Sequence, residues 1–593
     1  MTRPTLLSAV ALIGALGCGS GGGGTPADAG PPDGYVAGSP VTVAVGDVFP
    51  AGTVVRDQYG GVTATVATDG TVTITPDPLG VVLLEKDGAA ASAFNWANVT
   101  VYNAIVDRYA NGDTANDASY GRQKDGKMEV GTWHGGDWKG LTSKLDYIAG
   151  LGVTALWISP IVEQVHGWVS GGTGDFKYYG YHGYWALDFT LLDKSFGTQA
   201  ELQALIDGAH QRGLRVLVDV VMNHPGYATG ADLAQYLPEV FFDGTGAAWA
   251  NYEATAVDHF ERWNDLVNYN SDGWVKWWSP KWIRAGFPGF PAGGTDDLTR
   301  QLAFLPDFIT EGTQAADVPV LFMRKTDTAF AAQAGFTVRQ YLVKWHTDWV
   351  RQLGIDGFRC DTAKNVELAS WAALKQAGLA ALADWKTANP AKKIDDAPFW
   401  MTAEVFPHGV LKDAYYSDGK FDSVINFDFQ RQLTEILQVQ TQLPAGADAL
   451  EAIYHAQSSA IAGDPTFGIL SYASSHDTRL NFAFFGNDAS KQRHAGTALL
   501  LAPGGVEVFY GDESGRTLGP GLSDAVQGTR SDMNFSTTDT SILQHWQKLG
   551  RFRKRHAAVG DGTHQRIASP AGTYAFSRKL GADGVVVILT PTR

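Results

Sequence analysis

The stretch TQAELQALIDGAHQRGLRVLVDVV, residues 198–221, decides the fold. It opens with a capping-box pattern, in which Thr198 is followed three residues later by Glu201. One apolar helical face follows, made by Leu202, Leu205, Ile206 and Ala209. Gly213 can end this helix, and the apolar run 215–221 after it is typical of a buried strand. A helix followed directly by a buried strand is the repeating unit of an α/β fold with a parallel sheet.

Seven further segments outside this stretch have the same strand-like character, and amphipathic helical patterns lie between them. The eight predicted strands are Val101–Val106, Thr154–Ser159, Arg215–Val221, Gly357–Cys360, Trp400–Val405, Ser423–Phe427, Gly468–Ala473 and Val506–Tyr510. Eight strands alternating with helices over this length predict a (β/α)₈ TIM barrel.

The spacing of the strands is interrupted once, between the third strand and the fourth. Residues 225–335 are rich in Gly, Trp and Pro and have a poor helical period, so we predict an inserted subdomain there. Residues 40–95 and the short tail from 553 alternate in the strand period and predict β modules. The predicted organisation is a signal peptide (1–17), a Gly/Pro-rich tether (18–39), an N-terminal β module (40–95), barrel (96–224), inserted subdomain (225–335), barrel (336–552) and a short C-terminal β module (553–593).

The N-terminus predicts export. An apolar run from Leu6 to Gly17 follows Arg3 and is too short to span a bilayer, as in a signal peptide. Cys18 comes directly after it in a context that resembles a bacterial lipoprotein cleavage site. We therefore predict a lipid anchor at Cys18 and a location in the periplasm, outer membrane or cell surface, with plain secretion as the alternative. The second cysteine, Cys360, would then have no disulfide partner in the mature chain.

The net charge of the chain limits which class of molecule it can bind. A formal net charge of −16 argues against nucleic acid, because phosphate binding needs a basic face. It fits a soluble exported enzyme that acts on a neutral substrate, and we expect a monomer.

Three carboxylates lie in short apolar segments of the second half of the chain. They are Asp361, Glu404 and Asp477, each at or near the end of a predicted strand. A buried carboxylate is costly unless it is paired or used, so three of them indicate an active site. Cleavage of a glycosidic bond needs a pair of carboxyl groups, one to protonate the leaving oxygen and one to attack or to activate water. This pattern favours a sugar-cleaving enzyme.

Several motifs resemble the α-amylase family of glycoside hydrolases (family 13). They are Val-Asp-Val-Val-Met-Asn-His (218–224), Gly-Phe-Arg-Cys-Asp-Thr-Ala-Lys (357–364), Glu404 and His476-Asp477, with Leu305-Pro-Asp307 as a subsidiary motif. Their order and spacing also match, over roughly residues 100–520, and some segments are similar to periplasmic members of the family. The resemblance implies a (β/α)₈ barrel, an α-glucan or maltooligosaccharide substrate and the roles described next.

The family is similar to retaining glycosidases, in which the two reacting carboxyl groups are about 5–5.5 Å apart. By resemblance Asp361 is the nucleophile, and Arg359, two residues earlier on the same strand face, can hold it ionised. Glu404 would be the acid/base, for which a desolvated site with a raised pKa is expected. Asp477 would hydrogen-bond the sugar hydroxyls and favour the distorted ring.

Five further residues are predicted by resemblance to bind substrate. Tyr184 should stack on the sugar at the cleavage site, and His182 should hydrogen-bond it. His224 and His476 should contact the same sugar, while Lys364 should lie on the leaving-group side. For each histidine a buried side chain with a purely structural hydrogen bond is the alternative.

The resemblance also implies calcium. The first predicted site uses Asn223, Asp307 and the backbone carbonyl of Asn365, and would bridge the barrel and the insert. The second predicted site contains five oxygen-bearing side chains: Asn111, Asp113, Asn116, Asp117 and Asp137. Such oxygen ligands suit a hard cation. A plain Asx-rich turn is the alternative at both sites.

Four functions remain open on the sequence. The preferred hypothesis is an endohydrolase of α-1,4-glucans. A transglycosylase would use the same chemistry with a sugar instead of water, and a debranching enzyme would cleave α-1,6 bonds. A non-enzymatic glucan-binding protein is the fourth, and the three carboxylates together with Arg359 argue against it.

The family often has His at position 365 and Asn at 475, where this chain has Asn365 and Ser475. These departures remove no catalytic group.

Overall fold

A computed structural model describes residues 36–592 of the protein. The predicted signal peptide, Cys18 and most of the predicted tether lie outside the described residues. Within 36–592, no helix combines the length and the apolar character needed to cross a bilayer.

A closed barrel of eight parallel strands forms the centre of the protein. Each strand pairs with the next in chain order, and the last pairs with the first. The strands are Thr100–Ala104, Ala155–Ile158, Arg215–Val220, Gly357–Cys360, Trp400–Ala403, Ser423–Asn426, Gly468–Tyr472 and Gly505–Phe509. All eight coincide with the predicted strands, so the predicted (β/α)₈ barrel is confirmed.

Helices on the outside of the barrel connect its strands. The principal ones are Trp138–Thr142, Leu145–Gly150, Gln199–Gln211, Val338–Leu353, Leu368–Ala388, Phe427–Val439, Ala447–Ile461, Ala489–Leu500 and Thr540–Arg555. The capping box of the third helix in this series is present as predicted, because Thr198 and Glu201 exchange hydrogen bonds. Gly213 adopts a φ of 76° just after this helix, a left-handed conformation that glycine tolerates best.

Two excursions interrupt the alternation of strands and helices. After the second barrel strand come two antiparallel pairs, Val162–Gln164 with Ala186–Leu192 and Trp168–Gly171 with Phe176–Tyr179. The predicted insert lies between the third barrel strand and helix Val338–Leu353. It contains the helices Gly230–Tyr236, Ala247–Thr255, Asp272–Val275 and Val320–Arg324, and the strand pair Ile283–Arg284 with Asp307–Phe308.

The two predicted terminal β modules share one sheet. Its order is Thr563–Ile567, Tyr574–Leu580, Asp583–Leu589, Val81–Lys86, Val54–Asp57 and Thr63–Thr65. Strand Asp583–Leu589 from the C-terminal part pairs antiparallel with Val81–Lys86 from the N-terminal part. A second pair, Val41–Ala44 with Thr71–Ile74, contributes to the same apolar core. The short C-terminal segment therefore completes its domain with residues from the other end of the chain.

A buried ionic cluster ties this sheet to the last barrel helix. Glu85 accepts a hydrogen bond from Arg555 Nη2 at 2.8 Å and lies 2.5 Å from His556 Nε2. Because a buried carboxylate must be paired, this cluster fixes the orientation of the sheet against the barrel.

Candidate active site

Two of the three predicted carboxylates meet at one guanidinium. Asp361 and Glu404 follow adjacent barrel strands, so both lie at the carboxyl-terminal mouth, where active sites of this fold are found. Arg359 donates from Nη1 to Asp361 Oδ1 at 2.7 Å, and its Nη2 lies 3.0 Å from Glu404 Oε2. This one buried guanidinium thus orients both carboxyl groups.

Glu404 has a second donor from the backbone. The N–H of Thr362 donates to Glu404 Oε2 at 2.9 Å. Thr362 has a φ of 47°, a left-handed conformation that is uncommon for a β-branched residue. The residue that follows Asp361 is therefore held in an unfavourable conformation while its amide contacts the neighbouring carboxyl group.

Asp477 follows the seventh barrel strand and is held between two basic side chains. His476 Nε2 lies 2.9 Å from Asp477 Oδ2, and Arg530 Nη2 donates to Oδ1 at 2.9 Å. Arg530 is fixed in turn, because its Nη1 donates to Tyr178 Oη at 2.7 Å. The Asp477 side chain is 36 % exposed, so it can also contact a ligand.

Three stacked rings, those of His182, Tyr184 and His476, lie beside these carboxylates. The Tyr184 ring stacks on His476 at 5.6 Å and on His182 at 5.5 Å between ring centroids. The Tyr184 hydroxyl donates to Asp219 Oδ2 at 2.7 Å. His182 Nδ1 accepts the backbone N–H of Tyr184, which leaves the proton on Nε2. That buried Nε2–H has no partner among residues 36–592.

His224 also lies close to Asp361. Its Nε2 is 4.0 Å from Asp361 Oδ2, and its Nδ1 donates to the carbonyl of Pro225 at 3.1 Å. Burial lowers the pKa of His224 to about 4, so the ring is neutral at neutral pH. With the proton on Nδ1, the Nε2 lone pair is free to accept a hydrogen bond.

The three carboxyl groups differ in acidity. Burial raises the pKa of Glu404 to about 7 and that of Asp361 to about 6, although Arg359 opposes both shifts. Burial would also raise the pKa of Asp477, but His476 and Arg530 hold it well below the usual range. Near neutral pH, Glu404 therefore keeps a proton most readily, and Asp361 and Asp477 are ionised.

Comparison with known proteins identifies the family of this chain. Residues 104–233 and 332–534 match the family described as the α-amylase catalytic domain. The chain belongs to the α-amylase family. It is therefore a glycoside hydrolase. The matched residues leave out 234–331, which is most of the insert.

Two relatives support the assignment to the α-amylase family, and one solved structure shares the fold. The chain is 47 % identical to the periplasmic α-amylase of Escherichia coli strain K12, over 93 % of this chain and 81 % of the relative. It is 29 % identical to an α-amylase of Streptomyces lividans, over 77 % and 51 % respectively. The crystal structure of the Geobacillus thermoleovorans α-amylase with acarbose aligns with a TM-score of 0.55 at 22 % identity, covering 83 % of this chain and 87 % of that one. That last likeness is one of fold.

Two charged residues in this α-amylase-family site were not predicted. Asp219 is buried on the third barrel strand and accepts from Arg359 Nη1 at 3.1 Å and from Trp157 Nε1 at 3.2 Å. Burial raises its pKa to about 6. A carboxylate inside an apolar strand is the signal that identified Asp361, and it could have identified Asp219 as well. Arg530, at the end of the short helix Ala525–Arg530, has no such signal in the sequence.

Lys364 contacts both the barrel and the insert. Its Nζ is 3.2 Å from the carbonyl oxygen of Phe406 and 3.4 Å from Asp297 Oδ2 of the insert. The neighbouring Asn365 donates its side-chain amide to the carbonyl of Asp297 at 2.7 Å. Both residues therefore line the junction between barrel and insert.

The first predicted calcium site is assembled in part. Asn223 Nδ2 donates to Asp307 Oδ1 at 2.8 Å and to the carbonyl of Asn365 at 3.2 Å, so the three predicted ligands converge. With its side-chain amide rotated by 180°, Asn223 would present its oxygen to a cation instead. Arg284 donates to Asp307 Oδ2 at 2.6 Å and already balances that charge. These oxygen atoms fit a hard cation, and Asp307 would then contact both the cation and Arg284.

The second predicted calcium site is also a compact cluster. Asp137 accepts backbone N–H groups, including that of Asp113 at 2.7 Å, and caps the next helix. Asn111 Nδ2 donates to Asp117 Oδ1 at 2.8 Å. Asn116 Oδ1 is buried and has no partner in the described chain, which leaves it available to a cation. Within residues 36–592, no three Asp, Glu, His or Cys side chains form a metal cage, so either site would depend on amide and carbonyl oxygens.

Proposed function

We propose that the protein is an α-amylase that hydrolyses internal α-1,4-glucosidic bonds of starch, glycogen or maltooligosaccharides with retention of configuration. The observation that supports this most directly is the contact of Asp361 and Glu404 with the same guanidinium of Arg359. Two carboxyl groups of different acidity facing one site are what a retaining glycosidase needs. The 47 % identity to a relative named periplasmic α-amylase supports the substrate class.

In the first proposed step, the glycosidic bond is exchanged for an ester. The Asp361 carboxylate attacks the anomeric carbon while protonated Glu404 gives its proton to the leaving oxygen. The carbon–oxygen bond breaks, the shortened glucan leaves as an alcohol, and the glycosyl-enzyme forms on Asp361. Arg359 keeps Asp361 ionised before the attack, and burial keeps the proton on Glu404.

In the second proposed step, water resolves the ester. The Glu404 carboxylate accepts a proton from water as the water oxygen attacks the anomeric carbon. The bond to Asp361 breaks, which restores the Asp361 carboxylate and the Glu404 acid. The Thr362 N–H and Arg359 stabilise the Glu404 anion between the two steps.

Other side chains would hold the sugar during both steps. Asp477 would accept hydrogen bonds from sugar hydroxyls, and the unpartnered Nε2–H of His182 would donate one. The neutral His224 would accept one at Nε2. Tyr184 would stack on the ring, and His476 would contact the same sugar.

Transglycosylation is the second candidate function. The chain is 25 % identical, over 84 % of its length, to the cyclomaltodextrin glucanotransferase of Geobacillus stearothermophilus. A sugar hydroxyl in place of water would resolve the same ester. Lys364, at the junction of barrel and insert, would lie on the leaving-group side, where such an acceptor must bind.

We also propose calcium at one or both predicted sites. Asn223, Asp307 and the Asn365 carbonyl would hold one ion, and the cluster around Asn116 and Asp137 would hold another. A bound Ca²⁺ would supply positive charge and rigidity. At the first site it would stabilise the contact of the insert with the barrel.

Export and anchoring form part of the proposal. Similarity to a periplasmic relative and the signal-like N-terminus support an exported protein. The proposed anchor is a lipid on Cys18, and the proposed active form is a monomer.

A product time course tests the proposed function. Wild type and Asp361→Asn are incubated with soluble starch and with maltoheptaose, and the products and their initial anomeric form are resolved by chromatography and polarimetry. Shorter α-anomeric maltooligosaccharides from wild type alone are expected. Longer or cyclic products would favour transglycosylation. Normal turnover by Asp361→Asn would refute the nucleophile, and no product from wild type would refute the hydrolase.

A further inference from the structure

A small cavity lies where the terminal β sheet packs against outer helices of the barrel. Its volume is about 110 Å³, which is several times what one water molecule needs. Residues 79–81 and 589, 590 and 592 line it from the sheet side, and the helices Ala489–Leu500 and Thr540–Arg555 line it from the barrel side. We call it the junction cavity. The active-site residues described above do not line it.

The polar lining of the junction cavity is rich in hydrogen-bond donors. It consists of one arginine, two histidines, one serine and three threonines, and no carboxylate of the described residues belongs to it. The chain as a whole has 62 acidic residues against 46 arginines and lysines. The charge of this cavity is therefore opposite to that of the protein. Positive charge together with donors is what an anion needs in a binding site.

Arg493 brings a positive charge to the junction cavity that no carboxylate contacts. Its Nη1 donates to Ser541 Oγ at 3.0 Å, and it forms no ion pair within residues 36–592. Two acidic residues that precede the helices, Asp488 and Asp539, use their carboxylates to cap those helices. The remaining donors of the Arg493 guanidinium are therefore available to a ligand.

His494 comes next to Arg493 and has an unsatisfied ring nitrogen. The residue is 8 % exposed, and its buried Nε2 has no hydrogen-bond partner in the described part of the chain. Buried polar atoms are nearly always paired, so this one needs an explanation. A neighbouring anion favours the imidazole form that carries a proton on both nitrogens. An anion in the junction cavity would thus give Nε2 the partner that it lacks.

The second histidine of the junction cavity, His545, is already satisfied by the protein. Its Nε2 donates to the carbonyl of Arg493 at 3.0 Å, and its Nδ1 accepts from the Tyr59 hydroxyl at 2.6 Å. Burial lowers the pKa of His545 to about 3, so this ring is neutral. The free donors therefore lie with Arg493 and His494. Ser490 also lines the cavity and is one helical turn away from both, on the same helix face.

We propose that the junction cavity binds a small inorganic oxyanion, phosphate or sulfate, through Arg493, His494 and Ser490. A tetrahedral oxyanion accepts several hydrogen bonds at once, and hydrogen bonds between charged partners are the strongest of these. Because the cavity is lined from both sides, a bound anion would stabilise the packing of the terminal sheet on the barrel. The site is separate from the catalytic carboxylates and does not depend on the proposed hydrolysis.

Calorimetric titration of the full chain with inorganic phosphate tests this proposal, with ionic strength held constant by sodium chloride. We expect one saturable site per chain and competition by sulfate. The melting temperature should rise with phosphate concentration, because a ligand of the folded state stabilises that state. Arg493→Gln and His494→Phe should each raise the Kd for phosphate by about 10-fold, the loss expected for one hydrogen bond to a charged group.

Arg551→Gln is the matched control for this titration. Arg551 donates to the carbonyl of Gly150 at 3.0 Å and forms no ion pair among residues 36–592, as for Arg493, but it does not line the junction cavity. This variant should bind phosphate like wild type. His494→Phe keeps a planar ring, so it remains informative if melting curves show that Arg493→Gln is unstable.

Three results would overturn the oxyanion site. The first is the absence of saturable phosphate binding by wild type. The second is a wild-type Kd in both Arg493→Gln and His494→Phe. The third is an equal loss of affinity in Arg551→Gln, which would show attraction of phosphate to surface charge in general.

Discussion

Substitution of Arg530 by glutamine tests the least expected feature of the active site. Arg530 donates to Asp477 Oδ1 at 2.9 Å and to Tyr178 Oη at 2.7 Å, and its Nε lies 3.3 Å from the carbonyl of His476. If Asp477 holds the sugar, Arg530→Gln leaves that carboxylate without its guanidinium partner. Catalysis should then suffer even though Arg530 is not one of the reacting groups.

The expected loss follows from the contacts. A hydrogen bond to a charged group contributes about 1.5–3 kcal/mol. The Asp477 side chain is 36 % exposed, so solvent screens part of that value and the lower end applies. A loss of about 1.5–2 kcal/mol lowers kcat/KM by about 10- to 30-fold. Because Arg530 lowers the pKa of Asp477, its removal should raise that pKa, while Asp361 still sets the acidic limb of kcat/KM.

Steady-state kinetics on maltoheptaose across pH, with melting temperatures, provide the measurement. Arg516→Gln is the matched control, because Arg516 is equally buried but donates to the carbonyls of Tyr510, Thr529 and Ser531. Both variants should melt earlier than wild type, and only Arg530→Gln should lose activity. Equal activity losses in the two variants would refute the role of Arg530.

Three further predictions concern the carboxyl groups and the metal. Glu404→Gln should lower turnover of maltoheptaose by about 10²- to 10⁴-fold. Turnover of α-glucosyl fluorides should fall far less, because a fluoride leaving group needs no proton. Equal losses for the two substrates would exclude Glu404 as the acid. For wild type, kcat/KM should fall below a pH of about 6 as Asp361 gains a proton, and above about 7 as Glu404 loses one; retention of the alkaline limb in Glu404→Gln would contradict that assignment. A calcium chelator should lower the melting temperature of wild type, and if the first site binds calcium it should lower that of Asp307→Asn by less. An unchanged wild-type melting temperature would remove calcium from the proposal.

The barrel could be predicted from the sequence because its signals are local. Each strand is a short apolar run, and the capping box at Thr198 specifies where a helix begins without help from distant residues. Asp361, Glu404 and Asp477 were found for the same reason, since each interrupts or ends an apolar run. Once the strands are parallel and consecutive, their carboxyl ends must meet at one mouth, and the carboxylates with them.

Only the tertiary structure decided which distant groups touch. Arg359 contacts Asp361, Glu404 and Asp219 at the same time. These contacts depend on the register of three adjacent strands. Arg530 reaches Asp477 from a short helix whose sequence contains no marker of that contact.

The packing of the two chain ends and of the insert could not be predicted from the sequence either. The pairing of Val81–Lys86 with Asp583–Leu589 joins segments from opposite ends of the chain, and a cavity of the insert lined by Tyr178, Tyr227 and Trp274 gathers residues from loops of weak period. Apolar periodicity records which face of an element is buried. It does not record which partner buries that face, because any apolar surface of suitable shape can do so, and long-range packing makes that choice.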